Sequence, residues 1–219
     1  ETMDSHFTYS TAEPKDRDKI REFLMKHFLV EETMNAATSI TEEEFAPFAD
    51  AVLDTSLRTP HSVICRDEND IIAGVALHSI HRRGDPVNIE PLGSKPKRPQ
   101  INAIASICSE CHNSIWQLLE PQINTVLELD IISVGKSYQR RGIAREMLEK
   151  CQSPQVLKEN NIQGIITQAT SYANQTLLQK QGHKVLKEVP FTRYVDENGL
   201  PLIKPLDETQ SVKLFWKPI

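Results

Sequence analysis

The alternation of hydrophobic and polar positions predicts a series of helices and strands in the first part of the chain. After a short strand near residues 6–10, apolar residues recur three or four positions apart from Ile20 to Phe28, which is typical of an amphipathic helix. A second such helix begins at the capping box of residues 41–44, and residues 29–35 are predicted as the loop before it. Two apolar runs, 62–66 and 71–80, then flank a polar turn and indicate a β-hairpin.

Beyond the hairpin, residues 82–99 contain four prolines without periodicity and are predicted to form an irregular surface loop. A long amphipathic helix follows, from about Ile101 to Ile115. The later apolar runs predict a strand, a helix that ends at Gly182, and two more strands. These elements cover residues 164–168, 173–180, 184–189 and 211–216.

The stretch from residue 126 to residue 151 carries the most chemical information. An apolar strand over 126–134 is followed by a short basic loop and by a helix with apolar residues on one side. The loop reads Gln139-Arg140-Arg141-Gly142-Ile143-Ala144 and ends at the helix N-terminus, where backbone N–H groups are unpaired and favour anions. It is suited to hold a pyrophosphate, with Gly142 permitting close approach of the backbone. The alternative is an ordinary strand-turn-helix with a solvated basic turn.

Composition and charge exclude several classes of function. The chain has 219 residues, 39% of them hydrophobic and 25% charged, as in globular proteins. A net charge of -5 gives no global electrostatic reason to bind nucleic acid or an anionic membrane. Because no apolar run reaches the roughly 18 residues of a membrane span and the amino end lacks a signal-peptide pattern, we expect a cytoplasmic protein.

The four cysteines are too few and too scattered for a disulfide framework. Cys108-x-x-Cys111 with His112 could suggest metal or redox chemistry, but no second ligand pair stands at zinc spacing. We therefore expect these cysteines to pack in a helix, and we expect no metal site.

The loop pattern Q-x-x-G-x-A, directly after an apolar strand and opening a helix, resembles the acetyl-CoA loop of the GCN5-related N-acetyltransferases (GNAT superfamily). Gln139, Gly142 and Ala144 occupy its three fixed positions. The order of predicted elements is also that of this superfamily. The resemblance implies one α/β domain over residues 1–219, with a central mixed, twisted β-sheet flanked by helices and a splayed strand pair that holds acetyl-CoA.

Three further stretches resemble the insect-type arylalkylamine (dopamine) N-acetyltransferases. Residues 31–35, Glu-Glu-Thr-Met-Asn, are similar to their D-E-P-L-N segment, with Thr33 in place of proline and Met34 in place of leucine. Residues 129–134 resemble their strand before the loop, and residues 191–194 resemble their F-x-x-Y segment. The implied activity is transfer of an acetyl group from acetyl-CoA to a small-molecule primary amine, with no nucleic acid or membrane partner, by a monomer or weak dimer.

The resemblance implies roles for particular residues. Glu32 maps onto the glutamate that acts as general base, although an acidic pair such as Glu31-Glu32 is otherwise read as a solvated turn. A backbone N–H between Ile132 and Val134 would stabilise the oxyanion. The expected acetyl-CoA contacts are Ile132, Ser133, Val134, Gln139, Arg140, Arg141, Gly142, Ile143, Ala144, Arg145 and Asn174.

The group that protonates the leaving thiolate is less defined. Many members of the superfamily place a tyrosine four residues before the late glycine, but Leu178 stands there in this chain. Ser171 and Tyr172 are the nearby catalytic candidates, although Ser171 could simply cap the late helix and solvent could supply the proton. The expected walls of the substrate pocket, each of which could also be ordinary core, are Phe28, Met34, Phe45, Phe48 and His78.

Other functions remain open on this scaffold. The acceptor could be a polyamine, an amino sugar or a protein amine, and the chain could also be a non-catalytic module that binds acyl-CoA. The basic loop serves all of these, whereas a carboxylate at Glu32 is needed only for catalysis.

Overall fold

A mixed sheet of seven strands organises the computed structural model, which describes residues 6–86 and 97–219. Its strands are β1 (Thr8–Thr11), β2 (Val63–Arg66), β3 (Ile72–Arg82), β4 (Thr125–Val134), β5 (Gly164–Ala169), β6 (Lys184–Pro190) and β7 (Ser211–Pro218). They lie in the order β1-β2-β3-β4-β5-β7-β6. Neighbouring strands are antiparallel except β4 and β5, which are parallel. The predicted α/β fold with a central mixed sheet is confirmed.

Helices cover both faces of this sheet. They are α1 (Arg17–Phe23), α2 (Leu29–Glu31), α3 (Thr33–Thr38), α4 (Glu42–Ser56), α5 (Pro99–Leu118), α6 (Ile143–Cys151), α7 (Pro154–Glu159) and α8 (Tyr172–Lys180). Apolar side chains of α1, α4 and α5 pack on one face, and those of α6, α7 and α8 pack on the other. None of the helices within the described ranges has both the length and the apolar content to cross a bilayer.

Strand β4 is paired on both sides where it begins but only with β3 where it ends. Leu77 lies opposite Ile131 and His78 lies opposite Leu129, so Asp130 has no partner on β3 and forms a β-bulge. Pairing with β5 covers only Leu127–Leu129 and stops at the same point. The predicted splayed strand pair is confirmed, and the bulge marks where the two strands separate.

The bulge also explains how β4 keeps its apolar residues buried on both faces. Side chains alternate between the faces of a strand, so one extra residue inverts the alternation. Leu129 therefore shares a cluster with Ile132 on the face covered by α6, while Ile131 packs under α1 and α4.

The structure differs from the sequence prediction in three places. Residues 29–35, predicted as a loop, are helical apart from a break at Glu32, which takes φ −64° and ψ 140° and caps α3. The predicted helix from Ile20 to Phe28 contains a π-helical segment, Leu24–Phe28. Helix α7 was not predicted because it is short, although Ser153 caps it. The irregular loop predicted for 82–99 falls largely on residues 87–96, outside the described residues.

Candidate functional site

A cleft of about 330 Å³ opens where β4 and β5 separate. Its lining comes from the end of β4, the junction of α2 and α3, one side of α4 and α5, and the start of α8. Eleven of the predicted site residues line it: Phe28, Glu32, Met34, Phe45, Phe48, Ile132, Ser133, Val134, Gln139, Ser171 and Asn174. Side chains that are more than a hundred positions apart in sequence therefore meet in one space.

The carboxylate of Glu32 is held at the wall of the cleft by hydrogen bonds to both oxygens. Thr170 donates to one oxygen at 2.6 Å, and the backbone N–H of Asn35 donates to the other at 2.8 Å. Burial raises the pKa of Glu32 above its ordinary value, while the bonds from Thr170 and from the backbone of Asn35 and Met34 oppose the shift. A carboxylate with raised proton affinity, next to an open cleft, is a suitable proton acceptor.

Replacing Thr170 with valine is expected to move the acidic limb of the pH profile of kcat/KM to higher pH. The lost hydrogen bond favoured the charged carboxylate of Glu32, so its pKa rises further and the base stays protonated over a wider range. On that limb kcat/KM should fall roughly 10- to 150-fold, since a hydrogen bond to a charged group contributes about 1.5–3 kcal/mol. Thr167→Val is the matched control, because the buried Thr167 hydroxyl lines the cleft and has no hydrogen-bond partner among the described residues. An equal shift in both variants would contradict the prediction.

One wall of the cleft is aromatic. The ring centroids of Phe28 and Phe45 are 5.8 Å apart, and those of Phe45 and Phe48 are also 5.8 Å apart. Phe45 is almost fully buried and belongs to the core as well, whereas Phe48 is 37% exposed. Met34 is buried and lines the same space. This wall offers a flat apolar ligand several ring faces and edges.

The cleft is also acidic. Within the described part of the lining there are five acidic residues and no lysine, arginine or histidine. The five are Glu31, Glu32, Glu44, Glu128 and Asp130. Glu44 is paired with Arg98 at 2.7 Å, and this pair lowers the pKa of Glu44 to about 2. Glu32 and Asp130 have no cation at ion-pair distance among the described residues, so the cleft favours a cationic ligand.

Glu128 and Asp130 belong to a polar network at one end of the cleft lining. A carboxylate oxygen of Glu128 lies 2.9 Å from Nε2 of His81 and 3.1 Å from Nδ1 of His112, and Ser79 donates to Asp130 at 2.7 Å. Burial lowers the pKa of His81, but the hydrogen bond and the negative charge of Glu128 raise it by more. The net result is a pKa of about 9 for His81. Burial and the nearby charge of Glu128 raise the pKa of Asp130 above its ordinary value.

Sequence reasoning missed this network and Thr170. Two acidic residues at i and i+2 within an apolar strand were a visible signal for Glu128 and Asp130, because such side chains are rarely buried without partners. Nothing in the sequence marked Thr170 apart from its position at the end of a strand.

The basic loop after β4 lies next to the cleft, and Gln139, its first residue, is the one that reaches the lining. Gly142 takes φ +80° and forms the N-cap of α6, whose first backbone N–H groups have no intrahelical partners. The loop starts at Gln139, whose amide donates to the backbone oxygen of Val134 at 3.1 Å. The predicted residues that fall outside the cleft lining are His78, Arg140, Arg141, Gly142, Ile143, Ala144, Arg145 and Tyr172.

Several features fit the thioester and peptide-like arm of acetyl-CoA. Among the described residues, the backbone of β4 beyond Leu129 has no strand partner on the side of β5, so it can pair with an extended ligand. Oδ1 of Asn174 is buried, lines the cleft and accepts no hydrogen bond from the described residues. Buried polar atoms are nearly always hydrogen-bonded, so a ligand N–H is the expected partner. Gly142 and the N-terminus of α6 suit a phosphate group.

The candidates for proton donation to the thiolate differ in position. The hydroxyl oxygen of Ser171 accepts the backbone N–H of Asn174 at 3.2 Å, so it caps α8 while lining the cleft. That bond does not use the hydroxyl proton of Ser171. Tyr172 is 50% exposed, and Leu178, where a tyrosine is common in the superfamily, is fully buried core.

His78 does not form a wall of the cleft, and this part of the prediction is wrong. The bulge at Asp130 sets His78 opposite Leu129, and its ring lies fully buried, 3.7 Å from the thiol of Cys151 in α6. Burial lowers the pKa of His78 to about 3, so it packs as a neutral ring on the other face of the sheet. Cys111 is buried in the core and Cys108 packs against it, as expected of helix packing.

Comparison with known proteins identifies similar folds and a family. A family model described as the acetyltransferase (GNAT) family matches residues 21–182. Arylalkylamine N-acetyltransferase 2 from Aedes aegypti has a TM-score of 0.82 and 20% identity, over 98% of this chain and 99% of that one. A polyamine N-acetyltransferase from Drosophila melanogaster that forms N-acetylagmatine has a TM-score of 0.76 and 15% identity, over 98% and 100%. No curated protein sequence matches the chain.

Proposed function

Because the chain belongs to the acetyltransferase (GNAT) family, we propose that it transfers the acetyl group of acetyl-CoA to the primary amine of a small molecule, preferably an arylalkylamine. The observation that carries this proposal is the position of Glu32. Its carboxylate lines the cleft together with the aromatic wall and the unpaired end of β4. A binding module without turnover has no need of a carboxylate at this position.

The residues of the cleft support direct transfer. An alkylamine has a pKa near 10, so it arrives as a cation and must lose a proton before it can attack. Glu32 attracts this cation and accepts its proton, directly or through one water. Acetyl-CoA, when bound, supplies the acetyl thioester; the new C–N bond forms as the C–S bond breaks.

Two other groups complete the proposed chemistry. A backbone N–H between Ile132 and Val134, on the unpaired side of β4, donates to the carbonyl oxygen as negative charge develops there. As the amide forms, the nitrogen gives up its second proton and the thiolate gains one. The hydroxyl of Ser171 can relay this proton, receiving one from the nitrogen or from water as it gives one to the thiolate, with water and Tyr172 as the other sources. A thiolate is a good leaving group, so this last step does not require a strong general acid from the protein.

The aromatic and acidic side chains that line the cleft indicate which class of amine it accepts. Three phenylalanine rings, those of Phe28, Phe45 and Phe48, favour an aryl group at the far end of the acceptor. A polyamine is the second candidate, because Asp130 gives the cleft a further acidic position, whose ionised form a second ammonium group would favour. Insect proteins of similar fold are named for both classes of substrate.

Release of the CoA thiol from acetyl-CoA, measured with a panel of amines, tests the proposal. We expect the highest kcat/KM with 2-phenylethylamine or tryptamine, and lower values with spermidine, agmatine, glucosamine and a lysine-containing peptide. A preference for spermidine or agmatine would favour the polyamine candidate over the arylalkylamine. Binding of acetyl-CoA without thiol release for any amine would overturn catalysis in favour of a binding module.

A further inference from the structure

Three side chains from separate parts of the chain bring potential metal-binding atoms together at one end of the cleft. His81 is on β3, His112 is on α5 and Glu128 is on β4. The carboxylate oxygen of Glu128 lies 2.9 Å from Nε2 of His81 and 3.1 Å from Nδ1 of His112. All three ligand atoms lie within 4.8 Å of one another.

We propose that His81, His112 and Glu128 form a binding site for one Zn²⁺ ion. In a tetrahedral zinc site with Zn–N and Zn–O distances of about 2.0–2.2 Å, the ligand atoms are roughly 3.3 Å apart. The two distances that involve Glu128 are within a few tenths of an ångström of that value. Two imidazoles and one carboxylate are a donor set that zinc uses. The two imidazole nitrogens lie within 4.8 Å of each other, and the ion would draw them together.

The surroundings of the three residues suit a divalent cation. Gln168 donates to the other oxygen of Glu128 at 3.3 Å, which fixes the orientation of the carboxylate. The hydroxyl of Ser79 is 3.0 Å from Nε2 of His81 and donates to Asp130 at 2.7 Å. Glu128 supplies one negative charge toward the ion, and a bound Zn²⁺ would favour the ionised form of the nearby Asp130, which supplies a second. The ion takes the place of the protons that the imidazoles share with Glu128, and those protons leave to solvent.

An ion can reach the site from solvent. Glu128 is 5% exposed, but the side chains of His81 and His112 are 28% and 39% exposed. The adjacent Cys111 is not part of the site. Cys111 lies in the apolar core, and burial raises the pKa of its thiol to about 11, so it stays protonated and is a poor ligand.

Calorimetric titration of the chelator-treated, dialysed protein with ZnCl₂ tests the proposal. We expect one equivalent to bind, and His81→Gln, His112→Gln and Glu128→Gln each to weaken binding more than about 100-fold, since losing even an outer-shell partner costs about 10–100-fold. The matched control is His6→Gln, which removes an exposed imidazole elsewhere and should bind as the wild type. Zinc should also raise the thermal unfolding midpoint of the wild type and of the control, because it binds the folded state. It should not raise the midpoint of the three glutamine variants.

A second pair of variants keeps the test decisive if a glutamine variant folds poorly. His112→Cys retains a zinc ligand and should bind where His112→Gln does not, with far-UV circular dichroism confirming that both are folded. No zinc binding by the wild type would overturn the proposal, as would equal binding in His112→Gln. Loss of binding in Cys108→Ala, with binding kept in His81→Gln, would place the ion elsewhere. None of these readouts depends on acetyl transfer.

Discussion

Replacing Glu32 with glutamine is expected to lower kcat/KM for acetylation of the best amine by about 10²–10⁴-fold, the usual contribution of a positioned general base. The amide cannot take the proton of the ammonium group and no longer attracts the cation. The amide oxygen can still accept the backbone N–H of Asn35, which keeps the cap of α3. The variant therefore separates proton transfer from the structural role of Glu32, and thiol release at saturating acetyl-CoA measures the difference.

Glu31→Gln is the control for this prediction. Glu31 is the adjacent carboxylate and lines the same cleft, but its oxygens lie near Nδ1 of His27 at 3.1 Å and the amide of Gln139 at 3.2 Å. We expect this variant to keep most of the activity and both variants to bind acetyl-CoA as the wild type does. Equal activity of Glu32→Gln and wild type would show that Glu32 is only a helix cap.

Replacing Gly142 with valine is expected to weaken acetyl-CoA binding by roughly 5- to 30-fold. Gly142 has φ +80°, and a left-handed conformation costs an L-residue about 1–2 kcal/mol. A β-branched side chain tolerates it least, so the backbone at the start of α6 must change and its N–H groups turn from the phosphate. Calorimetric titration with acetyl-CoA measures the loss.

Gly199→Val provides the comparison for Gly142→Val. Gly199 has φ +76° in an exposed turn, and a side chain there would meet no atom within 4 Å. The two variants carry the same kind of backbone strain, so their unfolding midpoints should fall by similar amounts, but only Gly142→Val should bind acetyl-CoA more weakly. Unchanged affinity in Gly142→Val would exclude the loop as the pyrophosphate site.

The elements that sequence reasoning found share a local cause. Helix α4 follows from the capping box at Thr41, and the hairpin of β2 and β3 from the polar turn at Asp67, whose side chain accepts two backbone N–H groups. Helix α6 follows from the apolar spacing between Ile143 and Cys151. In each case residues within a few positions of one another decide the conformation, and one sequence is enough to see them.

What sequence reasoning missed depends on contacts between distant residues. The helix break at Glu32 is set by a carboxylate that binds Asn35 locally and Thr170 across the cleft. The bulge at Asp130 arises from the register between β3 and β4. The residue composition of the two strands does not determine that register. His81 and His112 come together only because α5 packs over the sheet at that point. The spacing of residues along the chain does not predict this packing.

The short parallel pairing between β4 and β5 has a consequence for cooperativity. The sheet consists of two groups of strands, β1 to β4 and β5 to β7. The backbone hydrogen bonds that join the two groups involve only Leu127–Leu129 of β4. This short β4–β5 junction is a seam in the sheet. An extended ligand that pairs with Ile131 to Val134 would lengthen the ladder of backbone hydrogen bonds at the seam. Such a ligand acts as an eighth strand supplied from outside, so its binding should slow amide hydrogen exchange on both sides of the seam.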